Sequence, residues 1–268
     1  MRWIYLSPHF DDAVYSCGGL IWEQAAQGHS VEIWTVCAGS PPAGALSTFA
    51  AEHHARWETG AEAVAQRRLE DRRACKRVGA KFRRLSVPDC IYRRAGGDYL
   101  SRPTKQTAPD SGDFLYTSQA ELFGPIHPLE AGLVKRLSQK LSRAIPAEAQ
   151  VVCPLAIGGH VDHRLTRAAA EAARQALLYY LDFPYVFREP GEIEKLQQDG
   201  WRSRRYPISR AGFEAWCAGI AAHQSQISTF WLDLTAVRKE LNEYLESNGG
   251  ILLWEPPADD ARLRRRAQ

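Results

Sequence analysis

The 268-residue sequence holds no apolar run near the roughly 20 residues that cross a bilayer, so membrane insertion is not expected. The opening "MRWIYLSPHFDD" has too short an apolar stretch for a secretory leader, and charges follow at once. There is no Cys-x-x-Cys pair. The six cysteines (17, 37, 75, 90, 153 and 217) are scattered, several inside apolar runs such as "TVCAG" and "VVCPL". That usage fits small buried hydrophobes in a reducing compartment, and a cytoplasmic location is expected. Charge of one sign is not in excess either. The formal charge is +3, and the tail "ADDARLRRRAQ", with four Arg and two Asp, supplies +2 of it. A near-neutral body gives no reason to expect nucleic acid as a partner. No internal repeat and no linker composition divides the chain.

What is present is an alternation of strand and helix patterns. "WIYLS" (3–7), "VEIWTVCA" (31–38), "RRLSV" (83–87), "QVVCPLA" (150–156), "DFPYVF" (182–187) and "ILLWEPP" (251–257) read as strands. Between them, residues 18–28, 50–79 (with a break near Thr59–Gly60), 130–145, 162–180 and 212–227 read as helices. The near-continuous apolar character of the strands suits a parallel sheet covered on both faces. The expected fold is α/β, a Rossmann-like, doubly wound, mostly parallel sheet with helices on both faces. One domain is expected over 1–258, with a long irregular insertion at about 92–126 and a basic, frayed tail at 259–268.

Two clusters carry the chemistry. His9, Asp11 and Asp12 directly follow the first strand, and His160, Asp162 and His163 follow "QVVCPLA" through "IGG". Open α/β sheets bind ligands beyond the carboxyl ends of their strands, so both clusters are expected at one edge. His9 and Asp12 are three apart, as are His160 and His163, a spacing that shares a face on a helical turn. Imidazole and carboxylate suit Zn²⁺, and a catalytic zinc takes three protein ligands plus water. Each cluster by itself reads more readily as structural, a turn in which Asp caps the next helix, than as catalytic. Their shared position after two core strands favours a metal site.

"SPHFDDAVYSCGG" resembles the P-H-P-D-D-E signature of the PIG-L/LmbE-like N-deacetylases, and "GGHVDHRLT" resembles their H-x-D-H motif. "RRLEDRRACKRVGA" (67–80), "SVPDCIY", "LDFPYVF" and "HQSQI" resemble further family segments in the family's order. Phe10 and Ala13 stand where the pattern has Pro and Glu.

The resemblance implies His9, Asp12 and His163 as ligands of Zn²⁺, with Fe²⁺ also suited to the set. It implies Asp11 as general base and a protonated His160 as oxyanion stabiliser. Asp162 joins the catalytic group, to orient an imidazole, or it caps its helix. Arg67 and, more weakly, Asp89 are the substrate-binding candidates. The implied activity is removal of an N-acetyl or other N-acyl group from an amino sugar or N-acetylglucosaminyl conjugate. A small-molecule amino-sugar substrate is the expected partner, and a homo-oligomer stays open. A metal-dependent phosphoesterase and a catalytically weak carbohydrate-binding relative are the alternatives. The first would need more carboxylates than can be placed here. The second has no use for Asp11 and His160. His53, His54, His29 and His127 read as surface or loop residues, and His223 as core packing.

Overall fold

The computed structural model describes residues 1–41, 45–56, 62–100, 113–174, 176–189 and 191–257. The tail at 259–268 lies outside them. Seven strands form one sheet: β1 (Arg2–Ser7), β2 (Ser30–Thr35), β3 (Lys81–Arg84), β4 (Gln150–Pro154), β5 (Leu178–Tyr180), β6 (Arg202–Tyr206) and β7 (Ile251–Glu255). Their order is β3-β2-β1-β4-β5-β7-β6. The first five pair in parallel, and β7 runs antiparallel to both β5 and β6. β1 is buried from Trp3 to Ser7, which is why its apolar run does not alternate.

The helices are α1 (Asp12–Ala26), α2 (Thr48–Arg56), α3 (Ala63–Arg77), α4 (Gln119–Leu122), α5 (Ala131–Ala144) and α6 (Val161–Ala173). They continue with α7 (Tyr185–Arg188), α8 (Gly191–Gln198), α9 (Arg210–Ala221), α10 (Gln224–Phe230) and α11 (Leu234–Asn248). None of the described helices is long and apolar enough to cross a membrane. α9 packs on α1, α3 and α11, and α5 packs on α6. The α1–α9 approach depends on Gly18, where a Cβ would lie 2.5 Å from Cδ1 of Trp216. Trp216 is fully buried and donates from Nε1 to the carbonyls of Val14 and Tyr15, which locks the two helices together.

Several local readings need correction. The helix expected over 162–180 ends at Ala173, and Leu178–Tyr180 are strand β5, whose three residues are too few to show a strand pattern after a helical run. "DFPYVF" is not a strand: β5 ends at Tyr180, and the segment forms a loop and then α7. β6 was not legible, because "RSRRY" has no apolar alternation. It is an edge strand with Arg202–Arg205 exposed, a composition that also discourages edge-to-edge pairing. Of the stretch 92–126, residues 101–112 lie outside the described residues, and the rest is only partly irregular. Residues 113–126 contain α4, Arg94 bridges to Phe114, and Tyr92, Leu115, Tyr116 and Leu122 join a small core of their own with Val161.

β2 lies on one side of β1 and β4 on the other, so the direction of winding reverses between β1 and β4. This is the switch point at which such sheets open a crevice. The two His/Asp clusters follow these two strands, and the fold brings them together there.

Candidate metal centre

The turn after β1 is organised by Ser7. Its Oγ donates to the carbonyl of His9 at 2.5 Å and accepts from the amide of Ala13 at 3.0 Å. Ser7 thereby serves the first turn of α1, and Asp11, at the N-cap position, makes no side-chain cap bond. Asp12 turns back instead, and its Oδ2 accepts from the His9 amide at 2.7 Å. At the start of α6 the cap is His160, whose Nδ1 accepts from the amide of Asp162 at 3.1 Å. The capping reading of the aspartates is therefore excluded in both clusters, and their carboxylates are left for other partners.

Asp12 sits between two imidazoles. Its Oδ2 is 3.2 Å from His9 Nδ1, and its Oδ1 is 3.3 Å from His163 Nε2. Tetrahedral ligands about 2.0–2.1 Å from a zinc ion stand about 3.3 Å apart, so each spacing matches one ligand–ligand edge, with a different carboxylate oxygen used towards each ring. A donor atom from each of His9, His160 and His163 also falls within 4.8 Å of the others. The far side of each outer ring is held. His9 Nε2 donates to Asp162 Oδ2 at 3.0 Å, and His163 Nδ1 donates to Asp182 Oδ1 at 2.6 Å. Such carboxylate partners fix the tautomer that a ligand needs.

The electrostatics separate the three histidines. Burial opposes charge on all of them. At His163 it is outweighed by Asp12 and Asp182, and the ring is lifted to about 10. At His9 it is outweighed by Asp89, Asp12 and Asp162, and the ring is raised well above the ordinary range. Asp12 is held well below the usual carboxylate range by His163 and His9, against its burial. A pocket that favours cations on these two rings also favours a metal cation. His160 behaves oppositely: burial and the His9 charge push it down to about 3. The expected protonated His160 is thus a neutral ring here. With Nδ1 accepting, its proton sits on Nε2, which remains a donor.

Asp11 lines the cavity, with Oδ1 3.3 Å from Nη2 of Arg67. Arg67 and Asp89 line it too, and Arg67 Nη1 is 3.9 Å from Asp89 Oδ2. Asp89 Oδ2 also stands 3.6 Å from His9 Nε2, while its Oδ1 accepts from the Ile91 amide. Phe10 packs beneath Arg67 and Arg84, each guanidinium 5.6 Å from its ring. This accounts for an aromatic in the turn. Asp162, grouped with the catalytic residues from sequence, is fully buried and does not line the cavity. It acts on His9 from behind.

The cavity holds about 210 Å³. Beyond the two motifs it is lined by Gln119, Leu122 and Phe123 from one side of the chain and by Tyr185, Arg188, Gln226, Thr229 and Phe230 from another. Tyr185 lies 6.2 Å from Phe123, 6.0 Å from Phe230 and 5.8 Å from His163, ring to ring. Its ring has room because residue 158 is glycine, with φ +78°; a Cβ there would lie 2.5 Å from Tyr185 Cδ1. His53 and His54, expected at the surface, are buried. His53 donates to the Phe49 carbonyl and lines the cavity, and His54 pairs with the Tyr92 hydroxyl.

Sequence reasoning did not find Ser7, Arg93, Glu130 or Tyr185. Asp182 lies in "LDFPYVF", 19 positions from His163, where no spacing marks it as a partner. A serine just before the motif was a usable capping signal; the others act across long sequence separations.

Residues 4–174 match the family model described as PIG-L, GlcNAc-PI de-N-acetylase. A 2'-N-acetylparomamine deacetylase of Niallia circulans is 32% identical over 215 residues, covering 74% of this chain and 71% of that protein. A 2'-N-acetylparomamine deacetylase of Streptomyces fradiae is 30% identical over 201 residues, covering 72% of this chain and 61% of that protein. Among solved structures, the zinc-inhibited form of a teicoplanin deacetylase superposes with TM-score 0.76 at 24% identity, over 97% of this chain and 100% of that one. The last likeness concerns the fold.

Proposed function

This chain belongs to the PIG-L (GlcNAc-PI de-N-acetylase) family, and on that premise we propose that it hydrolyses the N-acetyl group of an amino sugar or amino-sugar conjugate, with a divalent metal ion held by His9, Asp12 and His163. The observation that carries the proposal is the placement of Asp12 between His9 Nδ1 and His163 Nε2, with Asp11 beside it on the cavity wall. Zinc, the ion best suited to His₂Asp, would supply Lewis acidity and lower the pKa of a bound water when present.

The chain's own residues do the rest. Asp11 takes a proton from the attacking water, and the Arg67 guanidinium holds its carboxylate in place. The water oxygen adds to the acyl carbon as the carbonyl oxygen gains charge. His160 is placed to donate to that oxygen from Nε2, as a neutral imidazole. When the C–N bond breaks, Asp11 returns its proton to the nitrogen, so acetate and a free amine leave. Asp162 and Asp182 orient His9 and His163. Arg67 and Asp89 are the polar groups nearest the motif for sugar hydroxyls. The aromatic rings of Phe123, Tyr185 and Phe230 offer an apolar face to a pyranose.

Amine release from N-acetylglucosamine and its conjugates, read with fluorescamine on zinc-loaded protein, tests the proposal. Release that requires both metal and Asp11 is the expected result. No release across N-acetylated amino sugars and aminoglycosides, with metal confirmed bound, would sink it.

A further inference from the structure

Behind the metal site lies a buried chain of charges that the reaction does not use. Asp162 is fully buried, and its Oδ1 pairs with Arg93 Nη1 at 2.5 Å. Arg93 is itself fully buried. Its Nε pairs with Glu130 Oε1 at 2.5 Å, and its Nη1 also donates to the Pro88 carbonyl at 3.2 Å. Glu130 Oε2 accepts from the Tyr116 hydroxyl at 2.5 Å, and that hydroxyl accepts from the His127 amide at 2.9 Å. The line therefore runs Tyr116–Glu130–Arg93–Asp162–His9, from residues of the insertion and its flank to a candidate metal ligand.

Two physical consequences follow. A buried carboxylate without a cation is costly, so Arg93 is what holds Asp162 fixed behind His9. The forked guanidinium reaches both carboxylates at once, which a single ammonium cannot do. The oxygen of Asp162 that Arg93 leaves free stands 3.0 Å from His9 Nε2, so the order of the chain reaches the ring.

We propose that Arg93 and Glu130, steadied by Tyr116, are positioning residues that set the metal affinity of the His9 site through Asp162. Arg93, Tyr116 and Glu130 thereby serve metal retention. This rests on the metal reading given above.

Zinc affinity, measured on the full chain by competition with a chromophoric chelator, tests it without substrate. Arg93→Lys keeps the charge and loses the fork; its zinc Kd is expected to rise about 10- to 100-fold, the usual cost of removing such a partner. Glu130→Gln is nearly isosteric and should raise Kd about tenfold. In an Asp162→Asn background, Arg93→Lys should add less than about a twofold change, because its route to His9 is already cut. A residue that only props up the fold would lower the melting temperature and leave this coupling additive. Folded Arg93→Lys with the parent's Kd, or additive losses in the double variant, would overturn the proposal. If Arg93→Lys does not fold, an unchanged Kd in Glu130→Gln overturns it. Failure of the parent protein to bind zinc would instead overturn the metal reading itself.

Discussion

His163 Nδ1 donates to Asp182 Oδ1 across 2.6 Å, and this bond decides which nitrogen of His163 faces Asp12. Asp182 is anchored in turn, because its Oδ2 accepts from the Ile157 amide in the loop before α6. Replacing Asp182 with Asn lets the side chain present an amide to the ring and frees the tautomer. Metal affinity is expected to fall about 10- to 100-fold, as read by chelator competition. An unchanged affinity would mean that His163 needs no orientation.

The ligand set and the base are separable by substitution. His163→Ala is expected to lose metal, measured as ions per chain after dialysis. Asp11→Asn is expected to keep metal and lose turnover by about 10²- to 10⁴-fold. His160→Ala should resemble Asp11→Asn. Loss of metal in His160→Ala would instead favour the three-imidazole set of His9, His160 and His163.

His223 gives the fold an acid-sensitive point. It is buried edge-to-face on Tyr15 at 5.7 Å, and its Nε2 finds no hydrogen-bond partner among the described residues. Burial lowers it from 6.5, against the pull of Asp11, Asp71 and Glu70, and Arg67 adds to the lowering. The unfolded chain takes up the proton first, so stability is lost as pH falls below 6.5. His223→Phe keeps an aromatic ring there without a charge to gain. Its stability should fall less than the parent's between about pH 7 and pH 5, by at most about 1.4 kcal/mol per pH unit, in urea titrations. Parallel pH profiles would remove His223 as the source.

Gly158 can be tested through the ring it admits. Gly158→Ala forces a side chain into a left-handed conformation and against Tyr185, 2.5 Å from the new Cβ. A loss of about 1–3 kcal/mol is expected from strain and overpacking together. In a Tyr185→Ala background only the backbone cost, about 1 kcal/mol, should remain. Equal losses in both backgrounds would show that the ring is not what the glycine accommodates.

β1 and β4 were legible because their buried runs are apolar, whereas the three residues of β5 were hidden at the end of a helical pattern. The two motifs were legible because each gathers its polar residues within five positions, directly after a strand. β6 escaped because an edge strand of arginines carries no burial signal. Arg93 escaped for the opposite reason. It sits in "YRR" beside Arg94 and looks like one more surface charge, and only folding brings it to Asp162, 69 positions away. His53 and His54 were misplaced because two adjacent histidines read as polar surface, whereas one bonds within its helix and the other reaches Tyr92. His160 was read in the wrong protonation state because spacing says nothing of desolvation.

The cavity draws its lining from unequal sources. The two His/Asp clusters, Arg67, Asp89, Gln119, Leu122 and Phe123 lie within the family-matched stretch 4–174, whereas Tyr185, Arg188, Gln226, Thr229 and Phe230 come after it. Five positions of the cavity wall can therefore be varied without touching either His/Asp cluster. A library confined to codons 185–230 would remodel one side of the crevice and leave the other as the scaffold.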